Sequence, residues 1–398
     1  MIAITGIGIV SPIGIGKNNV LDSLLRSISG VSASENFRLP RSNITKLGEI
    51  KDFIPKKYIP PMKARRMSRF SHLGLASAIE AVADSGIELS ESNCFTTGIA
   101  LGTGLASTDS TDKFYEGLLR EGPEGTNPII FPETVQNIAA SHISIHFGIK
   151  GPNITFSHSD ISSELALFYG CELLRDGLVD LVIAAGADEL SIAAVAGYSS
   201  LGLLSQEMMP FDVRRDGFVL SEGGAAVVLE RLEDAKKRNA HIYCTVAASA
   251  FSSFPASTIQ YDRSCESMKH SMENAVSNAG IEHPDFISAS ANSTKDLDRL
   301  ETAAIKDVFG SRASSIPVSA FRSFYGFFPG DGMFRIAAAA VCIKEGIIPA
   351  TLGLQIPSPE CDLDYVTDGP RKTDIYSVMI NSFSSGGSAA AIVLKRGK

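Results

Sequence analysis

The feature that most limits how this chain can fold is a recurrent alternation. Nearly wholly apolar runs are separated by stretches whose apolar residues recur at helical spacing. Residues 2–10, 97–102, 178–187 and 223–229 read as strands in the first part of the chain, and 242–250 and 389–394 in the second. Residues 70–86, 161–177, 267–280, 298–309 and about 333–345 carry the helical period. The first of these helices runs into Asp-Ser-Gly, a stop signal. A strand apolar on both faces has to be covered on both faces, which predicts sheets sandwiched between helices, an α/β fold. A second half starts near Ile242 with no low-complexity linker before it. Two halves, 1–241 and 242–398, are therefore expected to associate as one body.

Composition excludes several classes of function. Apolar residues make up 44% of the 398, with 35 glycines and 18 prolines, a globular balance rich in tight turns. The net charge of −8 argues against general nucleic-acid binding. The opening MIAITGIGIV has no basic leader and carries Gly6 and Gly8, which suit a strand and turn better than a signal peptide. No apolar run approaches the roughly 18 residues of a membrane span. The six cysteines are scattered without a CxxC pair, so neither a zinc site nor a disulfide framework is expected. No nucleotide-cradling glycine motif stands out. The expectation is a cytoplasmic protein with reduced thiols and with no metal or cofactor.

Several phrases carry more specific information. They are ITGIGIVSPIG at the start, FPETVQNIAASHISIHFGIKGPN from Phe131, PFDVRRDGFVLSEGGAAVVLERLEDAKKR from Pro210, ETAAIKDVFG from Glu301, CDLDYV from Cys361 and NSFSSGG from Asn381. Together, in this order, they resemble the β-ketoacyl-(acyl carrier protein) synthases, especially the elongating type. The resemblance spans the whole chain. It implies a thiolase-like fold of five layers, αβαβα, with two similar halves, and it implies dimerisation.

The departures from that family matter as much. Its nucleophilic cysteine follows a Gly-Pro-Asn phrase at a helix N-terminus, where backbone N–H groups favour the thiolate. Here the phrase reads GPNITFSHSDISS and places Asp160 at the cysteine. The family's first histidine corresponds to Ser290 in SASANSTKD. Its second corresponds to Phe327 in FRSFYGFFPGDG, with Arg322 at the family's lysine. No histidine follows His283 under any alignment. Cys171 lies eleven residues beyond Asp160 along the same helix, about 16 Å away at 1.5 Å per residue.

The resemblance, read with these departures, implies a chain length factor. This is a ketosynthase-like subunit, catalytically inactive by itself, that pairs with an active ketosynthase and lines the acyl tunnel. The partners implied are that ketosynthase and an acyl carrier protein, in polyketide or fatty-acid-like biosynthesis. Lysine and isoleucine usage points away from actinomycete aromatic-polyketide factors and toward the aryl-polyene type of Gram-negative bacteria. Residues 105–131 supply the candidate tunnel or interface residues Leu105, Phe114, Tyr115, Leu118, Leu119 and Phe131. Arg65 and Arg66 match carrier-docking positions, and read equally as a solvated basic face. Two rival functions are a decarboxylase or acyl hydrolase built on Asp160, and a scaffold that binds carrier protein.

Simpler roles compete at each position. Asp160 suits a helix N-cap. His158 reads as a loop or interface histidine, because triad members converge from separate segments and not from neighbours such as Ser157, His158 and Asp160. Phe324, Tyr325, Phe327 and Phe328 are either core filling or a plug in the ancestral pocket.

Overall fold

The computed structural model describes residues 1–34, 36–37 and 44–397. The first half contributes strands β1 (Ile2–Ser11), β2 (Thr97–Gly102), β3 (Asn153–Phe156), β4 (Leu181–Asp188) and β5 (Gly223–Arg231). They lie in the order β3-β2-β4-β5-β1. β2 runs parallel to β3 and β4, whereas β5 runs antiparallel to β4 and β1. The second half repeats the plan with β6 (Cys244–Ser253), β7 (Phe286–Ser288), β8 (Pro317–Ser319), β9 (Ser377–Phe383) and β10 (Ser388–Lys395). Their order is β8-β7-β9-β10-β6, with the same pattern of directions. The two sheets join where Ile2, Ala3 and Ile4 pair with Val246, Thr245 and Cys244.

The helices are α1 (Arg69–Ser85), α2 (Thr108–Glu121), α3 (Ile138–Phe147), α4 (Ser162–Arg175), α5 (Glu266–Ala279), α6 (Lys295–Phe309) and α7 (Gly332–Glu345). α1 and α3 cover the outer face of the first sheet, and α5 and α6 that of the second. α4 and α7 lie between the sheets in the largest core. This is the αβαβα layering that the thiolase-like resemblance implies. α7 occupies the centre because Met333–Ile343 is buried all round, the pattern of a helix with no solvent face.

Local chemistry explains the element ends. Ser68 caps α1 by accepting the N–H of Ser71, and Gly86 ends it at φ 67°. The strand expected over 178–187 begins only at Leu181, because the chain is still leaving α4 through Gly177 at φ 69°. The strand expected from 242 begins at Cys244, and the helix expected from 298 begins at Lys295. Gly102 lets the end of β2 touch the start of α4: a Cβ there would lie 2.4 Å from backbone atoms of Ser162 and Ser163. Among the described residues no helix is long and apolar enough to cross a membrane.

Candidate functional site

β3 ends at Phe156, and a short 3-10 turn, Ser159–Ile161, leads into α4. Ser159 takes φ 48°, a left-handed conformation uncommon for serine. In this turn Asp160 is 5% exposed. Its carboxylate accepts a hydrogen bond from the Ser159 hydroxyl at 3.2 Å. Burial pushes its pKa up from 3.8 to about 6, against the pull of the Arg322 guanidinium.

The helix-cap role expected for Asp160 is not what the structure shows. α4 starts at Ser162 without a side-chain cap. The turn is tied instead by the Ser162 hydroxyl, which accepts the His158 N–H at 2.8 Å and donates to the Ser159 carbonyl at 2.7 Å. The 3-10 turn keeps Asp160 out of capping geometry.

Arg322 is fully buried at the start of the short helical turn Arg322–Tyr325. It donates to Asp331 through two bonds of 2.6 and 2.8 Å. It also donates to the carbonyl of Ser290 and lies 4.8 Å from the centre of the Phe327 ring. Ser290, through its carbonyl, and Phe327, through its ring, thus come from distant segments to one guanidinium, whose charge also acts on Asp160. Ser290 is fully buried, and its hydroxyl accepts the Phe383 N–H at 2.9 Å. Phe327 lies 4.6 Å from Phe218. The aromatic cluster therefore divides: Phe324, Tyr325 and Phe328 fill the main core, while Phe327 enters a smaller cluster.

A second arginine extends the network. Arg335, from the first turn of α7, reaches Asp331 at 3.3 Å, Glu164 at 3.2 Å, the Ser382 hydroxyl at 2.6 Å and the carbonyl of Asn381. The Tyr325 hydroxyl donates to Asp331 at 3.1 Å. Arg322, Arg335, Asp331 and Glu164 thus share one buried network, in which the arginines offset part of the desolvation of the carboxylates. The sequence reading missed Arg335 and Glu164. A lone arginine inside the apolar run of α7 was the available signal.

Asp188, at the end of β4, braces the loops on either side. It accepts N–H groups from Leu105 at 2.7 Å, Ala106 at 2.8 Å and Gly330 at 2.6 Å, and the Thr103 hydroxyl at 2.6 Å. Leu105 is thereby held close to the loop before α7. The other tunnel or interface candidates lie on α2 and the segment after it. Phe114 is 5.6 Å from Phe131 and 6.2 Å from Tyr115. Tyr115, Leu119 and Phe131 are 55%, 83% and 55% exposed, and Leu118 is half-buried. Arg65 and Arg66 are exposed just after the short helix Pro61–Ala64. His158 lies in an exposed loop 3.0 Å from the Ser388 hydroxyl. Cys171 is sealed in the core, and burial raises its pKa to about 12.

Residues 1–235 match the family model for the β-ketoacyl synthase N-terminal domain, and residues 243–355 the one for its C-terminal domain. A 3-oxoacyl-[acyl-carrier-protein] synthase 2 of Coxiella burnetii is 33% identical over 99% of this chain and 98% of its own length. One of Staphylococcus aureus is 29% identical over the same shares. Among solved structures, the ishigamide ketosynthase/chain length factor matches with a TM-score of 0.94 at 26% identity, covering 100% of this chain and 99% of that one. A type II PKS acyl-carrier protein in complex with its ketosynthase bound to the hexaketide matches at 0.90 and 25% identity, with the same coverage.

These relatives correct one expectation. The sequence was read as a subunit that is catalytically inactive by itself. Proteins named as synthases align with the full chain at 29–33% identity, and nothing in them indicates an inactive subunit.

Proposed function

The chain belongs to the β-ketoacyl synthase family, and on that footing we propose that it acts in acyl-chain assembly as a chain length factor. In this reading it pairs with a ketosynthase subunit, and its side chains bound the tunnel in which the product grows. Control of length is steric. A filled cavity refuses further units because overpacking costs about 1–3 kcal/mol. That control operates whichever subunit forms the carbon–carbon bond.

The observation that carries the proposal is the apolar surface of α2 and the segment after it. Tyr115, Leu119, Ile129 and Phe131 are each more than half exposed on the single chain. A contiguous apolar patch on a folded protein marks an interaction site. A partner seated there would have Phe114, Tyr115, Leu118 and Phe131 as tunnel or interface residues, with Leu105 at the inner end. The ketosynthase/chain length factor pair among the structural relatives supports this choice of partner.

Five further assignments belong to the same proposal. Asp160, Ser290 and Phe327 take the positions of the family's cysteine and two histidines, and the contacts of Ser290 and Phe327 with Arg322 support that alignment. The halves divide at 241/242, which the repeated strand order supports. Arg65 and Arg66, exposed and basic, dock an acyl carrier protein. The setting is the cytoplasm, in keeping with six buried, unpaired cysteines, and the lysine and isoleucine usage favours a polyene-type product.

The test is co-expression with a cognate ketosynthase. A one-to-one complex is expected on gel filtration with light scattering. Phe114→Ala and Leu118→Phe should shift the product-length distribution in opposite directions, and more strongly than they change total turnover. A homodimer that ignores the ketosynthase, or an unchanged product length across the series, would overturn the proposal.

A further inference from the structure

Residues 54–66 depart from the acidic character of the chain. They hold Lys56, Lys57, Lys63, Arg65 and Arg66 and no carboxylate, in a chain of net charge −8. All five bases are exposed. Among the described residues none of them forms an ion pair. Arg120, Arg312, Arg371 and Arg396, also at the surface, each meet a carboxylate. Two large apolar side chains stand among the unpaired bases: Ile54 is 48% exposed and Met62 68%.

The segment is stiff and has a definite inner side. It makes two short helical turns, Pro55–Lys57 and Pro61–Ala64, each opened by proline, and the turns lie against each other. Ile59 and Ala64 are buried beneath them. The Tyr58 ring stacks on Phe53 with centres 6.0 Å apart, and its hydroxyl donates to Glu80 at 2.9 Å. The Ala64 carbonyl lies 2.9 Å from Nε2 of His72. With Tyr58, Ile59 and Ala64 turned inward, the five bases, Ile54 and Met62 are left on the outer side.

We propose that this outer side is a peripheral membrane-docking surface. It seats on an anionic phospholipid leaflet, with Lys56, Lys57 and Lys63 among the headgroups and Ile54 and Met62 below them. Charge selects an anionic partner, since the rest of an acidic chain is repelled by one. The apolar pair selects among anionic partners. Burying Ile54 and Met62 beneath a layer of lysines needs an apolar medium under an anionic one, which is the order of groups in a leaflet. Arg65 and Arg66 stay with the carrier protein assigned to them above, so the three lysines and the apolar pair carry this surface. It is independent of the pairing and tunnel reading.

The experiment uses the full chain and sedimentation with vesicles, made of phosphatidylcholine alone or with about one third phosphatidylglycerol. The protein should sediment with the anionic vesicles and stay in solution with the neutral ones. Lys56→Glu/Lys57→Glu/Lys63→Glu should weaken binding about 100-fold. Lys56→Arg/Lys57→Arg/Lys63→Arg should keep it. Ile54→Ser/Met62→Ser should weaken it about tenfold and leave a remainder that ~0.5 M NaCl abolishes. Near-ultraviolet circular dichroism reports folding, and if the glutamate variant does not fold, Lys56→Gln/Lys57→Gln/Lys63→Gln carries the test. Equal binding to both kinds of vesicle, binding to neither, or unaltered binding in a folded lysine variant would overturn the proposal. Unaltered binding in Ile54→Ser/Met62→Ser would do the same, because it marks adsorption by charge alone. An acyl carrier protein is titrated in parallel: loss of its binding in the glutamate variant, with no vesicle binding by the unaltered protein, would assign the lysines to the carrier instead.

Discussion

Arg322 and Asp331, nine residues apart, form a two-pronged ion pair of 2.6 and 2.8 Å with both side chains completely buried. Removing Arg322 leaves Asp331 buried with only Arg335 and the Tyr325 hydroxyl as partners. Arg322→Met should therefore lower unfolding free energy by about 3–5 kcal/mol. Arg322→Lys should cost less, because it keeps the charge and loses only the fork geometry. Urea titration of the three proteins checks the order. Equal stability of Arg322→Met and wild type would show that the pair contributes nothing.

Asp160 leads to a pH-dependent prediction with a definite sign. Burial raises its folded-state pKa from 3.8 to about 6. The proton is thus held more tightly in the folded chain than in the unfolded one. The resulting stability is complete below about 3.8 and is lost as pH rises through about 6. Asp160→Asn keeps the shape and removes the titration. At pH 8 it should be more stable than wild type by up to about 3 kcal/mol, from two pKa units at 1.36 kcal/mol each. The difference should shrink toward zero near pH 4. Denaturant midpoints measured across that range test it, and a gap independent of pH would refute it.

Two glycines should respond very differently to the same added methyl group. A Cβ at Gly102 would lie 2.4 Å from backbone atoms of Ser162 and Ser163, which cannot move without displacing the turn that carries Asp160. Gly102→Ala should cost more than about 4 kcal/mol or give no soluble protein. Gly177 has open space around its Cβ direction and is constrained only by φ 69°. Gly177→Ala should cost about 1–2 kcal/mol. Expression yield and thermal midpoints separate the two.

The long buried elements were legible in the sequence because burial on every side writes an unbroken apolar run, as in β1, β4 and α7. Other elements left weaker traces. β7 and β8 have three residues each, too few for any period to register. α2 buries only Ser110 and turns its apolar side chains toward the surface, so its pattern does not report a core. At the site, motif spacing located Asp160, Ser290, Phe327 and Arg322, but not the bonds of Arg322 to Asp331 and to the Ser290 carbonyl, which depend on how separate loops are brought together. The helix-cap role for Asp160 failed because a preference for capping says nothing about an intervening 3-10 turn. Leu105 was named as a tunnel residue, whereas its tie to Asp188 is a backbone bond that no side-chain pattern encodes.

The pairing of the two sheets through β1 bears on how the chain is made. Strand β1 takes a central place in the finished molecule, with residues 223–231 on one side and 244–246 on the other. During synthesis it must therefore wait, apolar on both faces and with both edges open, until residues 223–246 have emerged. Long-range strand pairing of this kind is slow and exposes sticky intermediates. The vulnerable piece is then β1 itself, and synthesis that stopped before residue 244 would leave that strand permanently without one of its neighbours.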